Sequence, residues 1–126
     1  MPPQRIFGPI KVNSLSNGSA RTFVLDVLPG GGRFKTAHFH IVSKQRSSAN
    51  CYVSLTLEHS LNGQYFATHS TPIAYAEAPD GGALAGDADT SKILAEHRRA
   101  KLLVKDNTAA TEEWAIVEVW EMLKPF

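Results

Sequence analysis

From Cys51 the chain alternates strictly between apolar and polar residues, and then it turns. Cys51, Val53, Leu55 and Leu57 fall on one side, with Tyr52, Ser54, Thr56 and Glu58 on the other. That two-residue period belongs to a strand with one face buried and one face wet. Asn62-Gly63 follows, a dipeptide strongly biased towards tight reversal, and the chain resumes with Gln64-Tyr65-Phe66. A hairpin here fits poorly into any helical fold.

The rest of the chain repeats the pattern. Arg5 to Val12 is a strand candidate interrupted by Gly8-Pro9, which suits an edge or a bend. Asn13 to Gly18 is a turn cluster, and Thr22 to Leu28 is a dense apolar strand. Pro29-Gly-Gly-Gly32 reads as a loop; without a following Lys-Ser/Thr or helix it does not read as a phosphate cradle. Phe34 to Ser43 resumes as a strand, with Ala37, Phe39 and Ile41 opposite His38, His40 and Val42. A short strand is expected at Ile73–Glu77. Residues 78–91, rich in Gly, Ala and Asp, are expected to form a long flexible loop. Ala100 to Lys105 alternates again. Glu113 to Leu123 is apolar on both faces, as in a strand central to the fold or buried between subunits. These signals specify an all-β chain: a single antiparallel β-sandwich, jelly-roll-like, of about eight strands. The expected organisation is one domain over residues 1–126 with a short N-terminal arm, residues 1–7.

The 126 residues suffice for one core, and 43% hydrophobic content is ordinary for a folded domain. A net charge of +1 argues against a dedicated nucleic-acid binder. The charge is uneven: acids in residues 1–60 are only Asp26 and Glu58, whereas residues 61–126 hold most of them. A basic surface of one subunit could therefore meet an acidic surface of another, although interleaved strands would mix the two halves. Cys51 is the single cysteine, which excludes an intrachain disulfide and a Cys-rich zinc module. Its place on an apolar strand face suits a core residue better than a nucleophile. No window is long and apolar enough for a membrane-spanning helix. The start, Met-Pro-Pro-Gln-Arg, lacks the pattern of a signal peptide, so cytoplasmic synthesis is expected.

Among constellations that carry chemistry, His38-Phe-His40 is the sharpest. Imidazoles two residues apart on a strand share a face and could share a metal; otherwise they are a half-exposed polar pair. Gly32-x5-His38-x-His40, with Gln45 further on, is similar to the start of the first cupin motif, and the second cupin motif is missing. Asp80, Asp87 and Asp89 lack the spacing of a calcium loop. Glu112, Glu113, Glu118 and Glu121 read as solvated or interface charges. His59-Ser60 and His69-Ser70 are adjacencies without a nucleophile elbow. Arg98-Arg99-x-Lys101 is a small basic cluster. Trp114, Trp120, Tyr52, Tyr65 and Tyr75 permit a sugar-binding platform, with Tyr52 on the wet face of its strand the first candidate.

Val-Ser-Leu-Thr-Leu-Glu-His-Ser followed by Leu-Asn-Gly and Gln-Tyr-Phe resembles small β-sandwich virion structural proteins of tailed bacteriophages. So do Val-Leu-Pro-Gly-Gly-Gly upstream and the closing Trp114-Ala-Ile-Val-Glu-Val-Trp120. The resemblance implies a capsid decoration (cement) or minor capsid protein of the virion. Such a protein has no catalysis and no cofactor, forms homo-oligomers, and has the major capsid protein or other virion proteins as partners. The expected contact residues lie in the arm, the loop, the basic cluster and the C-terminal end: Phe7, Asp87, Asp89, Arg98, Arg99, Trp120 and Phe126. Two alternatives stand beside it: a cupin-like metal enzyme using His38 and His40, and a carbohydrate-binding module.

Overall fold

A computed structural model describes residues 2–126. Eight strands form in chain order: β1 (Gln4–Asn13), β2 (Arg21–Asp26), β3 (Thr36–Arg46), β4 (Cys51–Ser60), β5 (Ala67–Glu77), β6 (Gly82–Asp87), β7 (His97–Asp106) and β8 (Trp114–Lys124). The only helix among the described residues is a 3-10 turn, Gly31–Arg33. One sheet has the order β1-β8-β3-β6 and the other β2-β7-β4-β5. Every strand pairing is antiparallel. Two four-stranded sheets wound in this order are a jelly roll, the expected fold class.

The alternation seen in the sequence sorts the side chains. Cys51, Val53, Leu55 and Leu57 of β4 and Ala100, Leu102 and Val104 of β7 are fully buried from one sheet. Ala37, Phe39 and Ile41 of β3 and Ala115, Val117 and Val119 of β8 meet them from the other. Each large apolar side chain so enclosed contributes roughly 1.5–3 kcal/mol. Burial, and then the nearby Glu113 carboxylate, push the Cys51 thiol up to about 11, so it stays neutral and unreactive.

The 61–66 link is a turn held by Asn62. Its Oδ1 accepts the backbone N–H groups of Gln64 (2.9 Å) and Tyr65 (3.1 Å), while Gly63 takes a φ of +78°. The second strand of the hairpin starts at Ala67, so Gln64-Tyr65-Phe66 belongs to the turn. The 106–111 reversal is organised by buried Asp106. Backbone N–H bonds from Thr111 (2.8 Å), Thr108 (3.0 Å) and Ala110 (2.9 Å) hold its carboxyl far below the usual range.

Three expectations change. Residues 82–87, placed in a flexible loop by composition, are the edge strand β6, paired with β3. Its small residues are a packing requirement: a Cβ on Gly86 would lie 1.8 Å from the carbonyl oxygen of Ile73 in β5. The N-terminal arm is mostly strand, because β1 begins at Gln4 and its Phe7 packs partly buried against the core. The C-terminal end is likewise the body of central strand β8, leaving only Pro125 and Phe126 beyond it.

Candidate ligand-binding groove

The outer face of the β1-β8-β3-β6 sheet carries the residues that alternation turns away from the core. On β8 these include Trp114, Ile116, Trp120 and Met122, all half-buried; on β3 they include His38, His40 and Val42. Register sets them side by side: His38 lies opposite Met122 and His40 opposite Trp120. On β3's other flank, His38 lies opposite Asp87. Together with Pro3, the residues His38, His40, Val42, Trp120 and Met122 line an open groove of about 350 Å³.

The groove's polar edge is a chain of hydrogen bonds. His38 Nδ1 donates to Asp87 Oδ1 at 2.6 Å, and the Nε2 atoms of His38 and His40 are 2.9 Å apart. In a neutral His38 ring this leaves the lone pair at Nε2, where it accepts from His40 Nε2–H. Lys124 Nζ adds a bond to Asp87 at 3.3 Å. Partial burial pushes the Asp87 carboxyl up, but bonds from His38 and then Lys124 outweigh it and hold Asp87 below its ordinary value. Between Trp114 and Trp120, Glu118 is clamped by Lys44 (3.3 Å) and Arg5 (3.7 Å). Lys11 sits over the Trp114 ring, 4.8 Å from its centroid.

The opposite outer face carries a smaller aromatic patch. Tyr52 and Tyr75 have ring centroids 5.1 Å apart, and Lys105 lies 5.7 and 5.3 Å from the two rings. Tyr52 thus faces outward as expected, but as part of a patch lying against Lys105 and not in a groove.

The remaining sequence candidates scatter. Arg98 is turned inward, with a wholly buried side chain bonded to Glu121 Oε2 at 3.0 Å and to the Leu28 carbonyl. Glu121 Oε1 also accepts the Leu28 N–H at 2.7 Å. Arg98 therefore cannot meet a partner, and Glu121 is no solvated charge. Parity carries the signal for both: Arg98 is in phase with Leu102 and Val104, and Glu121 with Val117 and Val119. Glu113 is also buried, accepting hydrogen bonds from Ser47 and, at 2.8 Å, Ser48. Arg99 points outward, bonded to Glu58 at 2.7 Å and stacked 4.1 Å over Phe66. Burial raises the Glu58 carboxyl, but bonds from Arg99 and Lys101 more than offset it and keep it low. Asp89 is exposed, and its carboxylate is held low by the Ser91 hydroxyl. Phe126 is 80% exposed, beside Ile93 at 78%.

His69 Nδ1 and Ser70 Oγ are 2.7 Å apart, yet both residues are buried and Ser70 Oγ also accepts the Asp89 N–H. No substrate could reach that pair. Among the described residues no group of three or more His, Cys, Asp or Glu side chains could cage a metal, so the third ligand of a cupin-type centre is absent.

No protein-family model matches the chain, and no curated protein matches it. Solved structures do. The CBM36-1 domain of a multidomain xylanase from the hindgut metagenome of Trinervitermes trinervoides superposes with a TM-score of 0.52 at 10% identity, covering 96% of this chain and 97% of that one. The CBM22-2 xylan-binding domain from Paenibacillus barcinonensis Xyn10C gives 0.51 at 11% identity, covering 99% and 87%. A chain of infectious bursal disease virus, Gx strain, gives 0.52 at 10% identity, covering 95% of this chain but 31% of the viral one. At these identities the likeness is one of fold: a jelly roll shared by carbohydrate-binding modules and a viral protein.

Proposed function

We propose that the chain is a non-catalytic carbohydrate-binding module whose ligand lies in the groove over β3 and β8. The observation that carries this is the juxtaposition, fixed by strand register, of Trp120 with His40 and of Met122 with His38 on a solvent-facing concavity. A sugar ring presents C–H groups on its faces and hydroxyls around its rim. Trp120 offers a stacking surface for the first, and the imidazoles and Asp87 offer donors and acceptors for the second. Of the two modules with the same fold, one comes from a xylanase and the other is a xylan-binding domain, which makes xylan the first ligand to try. Binding to soluble xylan and a panel of other polysaccharides, read by affinity electrophoresis and calorimetry, tests the reading. Trp120→Ala should abolish measurable binding and Tyr75→Ala should leave it intact. Loss in Tyr75→Ala with retention in Trp120→Ala would move the site to the other face.

A second reading, a virion structural protein acting through protein contacts, is favoured by one observation. Ile93 and Phe126, two of the most exposed large apolar side chains, border one shallow depression at the end of the sandwich, with Lys35 and Lys92. This apolar, basic-rimmed patch suits a shell or a second copy as partner. Co-sedimentation with capsid shells that is lost in Ile93→Asp/Phe126→Asp would support it. A monomer that binds glycan and no shell would remove it.

A further inference from the structure

The two imidazoles in the groove meet in a way that a sugar contact does not require. Their Nε2 atoms meet directly, 2.9 Å apart, from adjacent outward positions of β3. The hydrogen bond from His38 Nδ1 to Asp87 is the carboxylate–histidine support typical of metal-binding imidazoles: it fixes the tautomer and the orientation of the ring. We propose that His38 and His40 form a two-imidazole site for a divalent transition ion, Cu(II) before Ni(II), supported by Asp87 and open towards the groove.

The geometry selects the ion. With metal–nitrogen bonds of about 2.0–2.1 Å, a 2.9 Å separation of the two nitrogens corresponds to an N–metal–N angle of roughly 90°. That is the angle between neighbouring ligands in a tetragonal or square-planar ion and is tighter than a tetrahedral zinc site prefers. Two nitrogen donors also favour Cu(II) over the other divalent first-row ions by intrinsic affinity. On loading, His40, exposed at its outer edge, gives up Nε2–H and takes a proton at Nδ1, where solvent can accept its hydrogen bond. Two protein ligands leave positions for water or a ligand in the groove. The site stands whether or not the groove takes a glycan, and its test contains none.

The test is titration of the full chain with CuSO4, and separately ZnSO4, at neutral pH, read by tryptophan fluorescence and by electron paramagnetic resonance. Trp120 lies beside His40, so one equivalent of Cu(II) should quench it strongly, with a spectrum showing nitrogen ligation in a tetragonal field. Zinc should bind at least tenfold more weakly and quench little. His38→Gln and His40→Gln should each weaken Cu(II) binding at least tenfold, and Asp87→Asn by about 10-fold or more. His97→Gln, on another surface, should change nothing. Both histidines are partly exposed, so the variants should fold, which circular dichroism checks. Uptake of Cu(II) that is unaltered in both His variants, or no stoichiometric uptake, would overturn the proposal. Either result would leave the glycan reading untouched.

Discussion

Arg98 and Glu121 show how far one residue's neighbours decide its meaning. The pair joins β7 of one sheet to β8 of the other and ties both to the Leu28 backbone, with both side chains fully enclosed. Removing one partner strands a charge in the core, so Glu121→Leu alone should cost about 3–5 kcal/mol. Arg98→Met/Glu121→Leu together should recover much of that, as chemical denaturation of the three proteins would show. A double variant no more stable than the single would mean the pair itself sustains the fold. His69 makes a second residue-scale prediction. Burial, and next the neighbouring His59, depress its basicity below the ordinary 6.5, and the backbone groups of Lys92 and Ile93, which favour the charged ring, do not offset them. The folded state therefore takes up this proton less readily than the unfolded chain. Above pH about 6.5 both states are neutral at this ring and the term vanishes. As pH falls through that value the unfolded chain protonates first and stability drops, levelling off only below the folded value. Unfolding free energies between pH 7.5 and 5.5 should show this slope, and His69→Asn should flatten it. At this scale the sequence was legible by parity alone: phase with Leu102 or Val117 would have placed Arg98 and Glu121 inside. Charge pulled the reading outward, because an ion is buried only with a partner, and the partner sits 23 residues away on the other sheet.

At the scale of elements, β4, β3 and β8 were readable because each has one predominantly apolar face. β6 was not. Gly82-Ala-Leu-Ala-Gly-Asp87 lacks the bulk that marks a strand, since its place at the sheet edge, against the β5 backbone, leaves no room for bulk. Its alternation of Gly82, Leu84 and Gly86 inward with Ala83, Ala85 and Asp87 outward was the one signal available. The close approach yields a prediction: Gly86→Ala should force β6 from β5 and destabilise by about 1–3 kcal/mol. Because β6 carries Asp87, the same substitution should loosen the support of His38. Ala85→Ser, pointing outward on the same strand, should be close to neutral by thermal melting. A neutral Gly86→Ala would show that β6 does not pack against β5 as described.

For the whole molecule, the order β1-β8-β3-β6 brings the first, last, third and sixth strands into one face. The groove is a product of that winding: Pro3 just before β1, His38 and His40 of β3, and Trp120 and Met122 of β8 are far apart in the chain and meet on one sheet face. The sequence displayed His38 and His40 as a pair and displayed Trp120 as aromatic. It could not place His40 opposite Trp120, because inter-strand register depends on loops and bulges, such as that between Ser43 and Gln45. The same folding separates the residues expected to form one contact surface: Arg98 enters the core, Trp120 faces the groove and Phe126 marks an end of the sandwich. The most direct test of the groove as a glycan site is a 15N–1H correlation spectrum of the labelled chain titrated with xylo-oligosaccharide. The account predicts saturable shifts of the Trp120 indole and of the His38, His40, Val42 and Met122 amides, with Tyr52 and Tyr75 unmoved. Saturable shifts confined to Tyr52, Tyr75 and Lys105, or none with any glycan in the panel, would contradict it.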